Sequence, residues 1–222
     1  MANKKQKVPS AELILIDSPT QYIASEAFKS LRTNLLSILS SGDEESKMIC
    51  FTSPETGDGS TFTCVNIAVS FAKMDAKVLL IDTDMRNPKV HRFFNIAETP
   101  GLSDCLAGNC GLQDAAVESL EIPGLSILPA GCIPTNPTEL ILSARFNQLL
   151  DTAKETYDYV FIDSPPACKV TDAAIISQKT LGAILVCKSG CTKIEIAKKA
   201  KQIIEQGGGK ILGTILNGVS QK

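Results

Sequence analysis

Apolar residues follow one another along this chain in two rhythms. Short unbroken runs include Met48-Ile49-Cys50-Phe51, Val78-Leu79-Leu80-Ile81, Val160-Phe161-Ile162 and Ala183-Ile184-Leu185-Val186-Cys187. Between them, apolar positions recur every three or four residues. Unbroken runs suit strands of a parallel sheet covered on both faces, and the wider spacing suits the covering helices. Thr20 to about Leu39 predicts a helix with Ile23, Ala27, Leu31, Leu35 and Leu39 on one stripe. Val65, Ala68, Val69 and Ala72 predict a second, running from just after Gly59 to Met74. Asn136 can cap a third, with Pro137 and Glu139 in its first turn, continuing to about Glu155. Shorter helices are expected after Pro100-Gly101 and at Thr171 or Asp172, and a lysine-bearing one over residues 191–207. Ser126 to Pro129 and Ile211 to Leu216 read as further strands. Strand and helix in alternation predict an α/β fold, a mostly parallel central sheet flanked by helices in three layers. Residues 1–19 read as an N-terminal arm, 20–217 as one domain, and 218–222 as a short C-terminal end, with Ser40 to Lys47 a polar link.

Composition narrows the functions. A chain of 222 residues fits one sizeable α/β domain. A formal charge of −2 gives no basic surplus to match a nucleic-acid backbone. No apolar run reaches the 18 or so residues of a membrane span. The apolar stretch Leu13 to Ile16, cut off by Asp17, is too short for a signal peptide, so a cytoplasmic protein is expected. Eight cysteines show neither a C-x-x-C nor a histidine at zinc spacing, and read mostly as small buried hydrophobes. The only histidine, His91, lies in an amphipathic turn and suggests a surface or packing role.

The chemistry concentrates at strand ends. Ser53-Pro54-Glu55-Thr56-Gly57-Asp58-Gly59-Ser60-Thr61 stands between a strand run and a helix pattern. That is the setting of a phosphate-binding loop, in which backbone N–H groups and a first helical turn converge on an anion. Gly57, Asp58, Gly59, Ser60, Thr61 and Phe62 are the candidate nucleotide contacts, and the Thr61 hydroxyl takes the Mg²⁺ position. The standard pattern has lysine after the second glycine; here that position is Ser60. Asp82-Thr83-Asp84-Met85-Arg86 ends the next strand. Its acids either hold Mg²⁺ and draw a proton from an attacking hydroxyl, or simply end the strand and cap the following turn. Arg86 is a candidate phosphate contact. Asp163, in Asp163-Ser164-Pro165-Pro166, is a third strand-ending acid and a further Mg²⁺ candidate. Asn217, at the tip of the last strand, suits an adenine edge or loop structure equally. Glu26, Lys29 and Arg32 share one helix face, read as a solvated ion pair or as a self-association face.

Together these pieces indicate a P-loop NTPase, and their order resembles one family. Ser25-Glu26-Ala27-Phe28-Lys29-Ser30-Leu31-Arg32, the loop Thr52 to Thr61, Val78 to Pro88, Pro134 to Leu140 and Tyr157 to Pro166 are similar to the bacterial protein-tyrosine kinases of capsule and exopolysaccharide systems, the BY-kinases. The resemblance covers about Thr20 to Asn217. It implies γ-phosphoryl transfer from ATP to tyrosine, with ATP or ADP and Mg²⁺ bound. Asp82, Asp84, Ser60 and Arg86 would stand at the catalytic positions, and Thr61, Asp82 and Asp163 around the metal. It also implies a membrane-anchored activator of the polysaccharide co-polymerase type, a location at the inner membrane face through that partner, and a homo-oligomeric ring. In the ring helix the family's middle arginine is here Lys29. Two departures stand out: Ser60 replaces the loop lysine, and the family's tyrosine-rich tail is not seen after Asn217. Loss of the lysine predicts that nucleotide binding survives better than turnover. The alternatives are a catalytically weak nucleotide-binding scaffold and a ParA/MinD-like ATPase. The latter fits less well, because its signature lysine would fall at Glu55.

Overall fold

The computed structural model of this chain describes residues 22–41 and 47–219. The expected arm at 1–19, residues 42–46 of the polar link and residues 220–222 lie outside the described residues. The elements in order are α1 (Tyr22–Ser41), β1 (Met48–Thr52), α2 (Ser60–Ala72), β2 (Val78–Asp82), α3 (Val90–Phe93), α4 (Leu102–Ala107), α5 (Leu112–Ala115), β3 (Val117–Glu118) and β4 (Leu125–Leu128). There follow α6 (Pro137–Leu142), α7 (Ala144–Thr156), β5 (Tyr159–Asp163), α8 (Asp172–Gln178), β6 (Ala183–Lys188), α9 (Ile194–Gln206) and β7 (Ile211–Asn217).

The strands form one sheet in the order β3-β4-β2-β5-β1-β6-β7. Every pairing is parallel except β3 with β4. The chain leaves β1 toward β2 on one side, and after β5 it crosses to β6 on the other. The carboxyl ends of β1 and β5 therefore flank a switch in winding direction, where open sheets of this kind leave a crevice.

The unbroken apolar runs are explained by burial on both faces. Met48 and Cys50 of β1 point to one core with Phe146, Leu150, Ile176 and Ile204 of the helices α7, α8 and α9. Ile49 and Phe51 point to the other, with Leu35 of α1 and Phe71 of α2. There Phe71 packs edge-on against Tyr159 and Phe161, ring centroids 4.8 and 4.9 Å apart.

Several expectations need correction. The second helix ends at Ala72 rather than Met74, and from Thr63 to Ala72 every side chain is buried, because α1 covers the side turned away from the sheet. The stripe on α1 is buried only in its second half. Leu35 and Leu39 are enclosed, whereas Ile23 is 58% exposed. The helix expected from Pro137 to about Glu155 is two helices. Ser143 takes extended backbone angles, and its hydroxyl accepts from the Phe146 N–H, capping α7. The two-residue strand β3 carries no periodicity long enough to read.

Candidate active site

The phosphate loop is shaped by contacts at several points. Gly57 and Gly59 both sit at positive φ, 93° and 97°, where other residues are strained. Gly59 is doubly constrained, since a Cβ there would lie 2.0 Å from the Asn217 amide nitrogen. That amide donates to the Asp58 carbonyl at 2.9 Å, which binds the tip of β7 to the loop. The Asp58 side chain, expected among the nucleotide contacts, is turned inward. It accepts from the Thr192 hydroxyl at 2.8 Å and from the Glu55 N–H at 3.0 Å. Asp58 thus ties the loop to the turn after β6, and it does not line the cavity. Thr192 has no counterpart in the sequence reading; its only signal was a hydroxyl after a strand end.

Ser60 opens α2 as its first residue and is 8% exposed. Gly57, Gly59, Ser60 and Thr61 line a cavity of about 210 Å³ together with Asp84, Lys89 and Ser164. Phe62 also lines it and stacks edge-on against Phe28 of α1, 6.0 Å between centroids.

The acids arrive where the parallel ladder puts them. Asp82 and Asp163 are Cα partners across β2 and β5, and Phe51 pairs with Asp163 from the β1 side. The Thr83 N–H and hydroxyl both donate to the Asp163 carbonyl, at 2.9 and 2.6 Å. Both carboxylates are cut off from solvent, but their partners differ. Asp82 accepts from the N–H groups of Asp84, Lys89 and Val90, each at 3.0 Å. The capping reading of this acid is the one these bonds describe, since they tie it to the turn into α3. Asp163 Oδ1 has no hydrogen-bond partner among the described residues. Burial pushes the Asp163 carboxyl well above the usual range, and the neighbouring Asp82 charge adds to this; the Thr61 hydroxyl facing it acts the other way. Asp82 is pushed up to about 6 by burial, against its backbone hydrogen bonds. Asp84, half-buried, is raised by burial as well and accepts the Asn87 N–H at 3.1 Å.

A buried carboxylate oxygen without a donor fits a cation, and Thr61 beside it supplies the matching hydroxyl. Thr61 and Asp163 would hold Mg²⁺, with Asp84 at the cavity wall. No group of three or more His, Cys, Asp or Glu forms a cage among the described residues. Mg²⁺ bound there would keep several waters and take substrate phosphates as ligands.

Two cations are placed differently from the expectation. Arg86 does not line the cavity. Its guanidinium pairs with the buried Asp172 at the start of α8 and donates to the Thr138 hydroxyl at 2.8 Å. Thr138 in turn donates to Asp172 at 2.8 Å. Arg32 does not join a free surface with Glu26 and Lys29; its Nη1 donates to the Ser70 carbonyl of α2 at 2.7 Å. Lys29 and Glu26 pair at 2.6 Å on an exposed face. Lys89 is the cation absent from the sequence reading, and its one signal was its place just beyond Asn87-Pro88 in the turn after two acids.

With this geometry in place, similarity to known proteins can be read. A family profile described as an AAA domain matches residues 46–188. The tyrosine-protein kinase CpsD of Streptococcus agalactiae serotype Ia is 41% identical over 197 residues, 88% of this chain and 83% of that protein. The kinase domain of the Escherichia coli tyrosine kinase ETK matches with a TM-score of 0.84 and 33% identity, over 90% of this chain and 78% of that one. The septum site-determining protein MinD of Pyrococcus horikoshii, complexed with Mg-ADP, is less similar. Its TM-score is 0.65 and its identity 26%, over 79% of this chain and 72% of that one. The ATPase alternative is therefore the weaker one.

Proposed function

Because this chain belongs to the bacterial protein-tyrosine kinases, we propose that it holds MgATP in the phosphate loop and directs the γ-phosphoryl group to a tyrosine hydroxyl. The observation that carries this reading is the partnerless Asp163 Oδ1, on a carboxylate one strand from Asp82 and beside the Thr61 hydroxyl of α2. In this reading the backbone of residues 57–61 cradles the phosphates, while Thr61 and Asp163 orient the metal side. Bound there, Mg²⁺ would neutralise charge on the phosphate oxygens. Asp84, open to the cavity, takes the tyrosyl proton as the tyrosine oxygen bonds to the γ-phosphorus and the bond to the β-bridging oxygen breaks. Asp82 fixes the position of this turn through its three N–H bonds. Arg86, paired with Asp172, positions the same turn from behind.

Ser60 offers no charge to the transferred group. Removal of one preorganised donor costs about 10²–10³ in rate, so turnover is expected to be more impaired than binding. The chain's place is proposed as the kinase of a capsule or exopolysaccharide assembly, since its relatives are tyrosine-protein kinases and its motifs resemble those of the kinases of such systems. It would be activated by a membrane-anchored partner and self-associate through the outer face of α1, where Glu26 and Lys29 remain exposed. No described helix is long and apolar enough to cross a membrane.

The test is γ-phosphoryl transfer with MgATP, the cytoplasmic tail of the activator and a tyrosine-rich acceptor, with Ser60→Lys run in parallel and ATP binding measured for both. Binding by both chains is expected, with a gain in transfer for Ser60→Lys of up to about 10²-fold, smaller where another cation already reaches the γ-phosphate. Binding with no transfer from either chain would favour the scaffold reading.

A further inference from the structure

The phosphate loop supplies no cation, yet the cavity it borders contains one. Lys89 lines that cavity together with Gly57, Gly59, Ser60 and Thr61, and among its described lining residues no other carries a positive charge. The root of this side chain is fixed: the Lys89 N–H is bonded to Asp82 Oδ2 at 3.0 Å, and Pro88 before it is buried. Its ammonium forms no ion pair among the described residues. Two carboxylates nonetheless feel its charge, since Lys89 acts against burial at both Asp84 and Asp163. A half-buried cation therefore shares one cavity with the phosphate loop and acts on the acids beside it.

Four other cations are held or placed away from this cavity. Arg86 is held by Asp172 and Thr138, and Arg32 by Ser70. Lys47 lies over the Tyr159 ring, 5.4 Å from its centroid, at the opposite end of the sheet. Lys73 sits at the far end of α2 from the loop.

We propose that Lys89 is the phosphate-binding cation that position 60 lacks, its ammonium donating to the β- and γ-phosphate oxygens of the nucleotide held in the loop. This rests on the nucleotide reading above and names the residue that completes it. Serine at position 60 leaves the space a loop lysine would fill. A lysine stem with three rotatable donors can reach into that space from the α3 side. The charge-assisted bond so formed replaces one made from within the loop.

The experiment measures binding of MgATP, MgADP and AMP to the full chain by calorimetry, for wild type, Lys89→Met, Lys89→Arg, Ser60→Lys and the double variant Ser60→Lys/Lys89→Met. Lys89→Met should weaken MgATP and MgADP by roughly 10–100-fold and leave AMP unchanged. Lys89→Arg should keep most of the affinity. Ser60→Lys should restore it in the Lys89→Met background and add much less where Lys89 is present, because two cations would then share the same oxygens. The Asp82 bond to the backbone of residue 89 survives all these changes, and thermal melting checks that the fold does too. Unchanged MgADP and MgATP affinity in Lys89→Met overturns the proposal and leaves the nucleotide reading intact. Equal weakening of AMP shows that the residue acts through the fold and also overturns it. Failure of the wild type to bind either triphosphate or diphosphate removes the nucleotide reading itself, and this proposal with it.

Discussion

Asp82 and Asp163 end neighbouring strands, pair across the same rung of the ladder and are both sealed from solvent, yet their carboxylates are engaged differently. The end of β2 turns sharply into α3, so the N–H groups of residues 84, 89 and 90 converge on Asp82. The end of β5 runs straight into Ser164-Pro165-Pro166. The Ser164 N–H goes to the Phe51 carbonyl and the prolines have none to give. One acid organises backbone; the other is left with an oxygen for a ligand. What decides between the roles is the direction of the chain after the acid, not the acid.

The difference can be broken most forcefully at β2. Asp82→Ala strands three buried N–H groups and should lower stability by about 3 kcal/mol. At this chain length that is a melting shift of roughly 6–12 °C. A shift within a degree of wild type would mean that these bonds do not hold the turn.

A pH titration sharpens the same point with a smaller effect. Asp82 is pushed up to about 6 when folded, against about 4 for an unfolded aspartate. Between those values the folded chain binds the extra proton, so stability is full below about pH 4 and falls as pH rises through about 6. The span is worth roughly 1–3 kcal/mol. Denaturant titrations of wild type and Asp82→Asn should diverge by that amount across the window. A difference that is flat with pH would contradict the assignment.

Asp163→Asn gives the smallest shift and the opposite sign. With no donor on Oδ1 and burial opposing its charge, the carboxylate is unfavourable for the nucleotide-free fold. The amide should melt about 2–4 °C higher at neutral pH, equivalent to about 1 kcal/mol, while the Mg²⁺-dependent part of nucleotide affinity disappears. A variant that melts lower would place Asp163 with Asp82 as a residue of the fold.

Much of this arrangement was legible before any coordinates. The four inner strands follow the unbroken apolar runs, and the phosphate loop and three acids occupy the ends those runs imply. What sequence could not show is where long side chains go. Arg86 and Arg32 carry the charge of a phosphate contact and of an oligomer face, but each has a closer internal acceptor, Asp172 and the Ser70 carbonyl. Both acceptors are far away in sequence, and a motif does not contain them. Lys89 was overlooked for the converse reason: it lies outside the loop, and only the packing of α3 beside the sheet brings it to the cavity. The Ser143 break escaped because its neighbours are good helix formers, and a capping serine inside such a run looks like any polar position.

The interlock of Asn217 with the phosphate loop has a consequence for the order of events during synthesis. The amide that occupies the space beside Gly59 and holds the Asp58 carbonyl belongs to a residue 159 positions further along the chain. A nascent polypeptide emerging from the ribosome completes the loop and α2 early, but it lacks this brace until the tip of β7 is released. At an elongation rate of about 5–20 residues per second, the wait is on the order of ten seconds or more. During that interval the growing chain carries its anion-binding segment without the contact that fixes its shape.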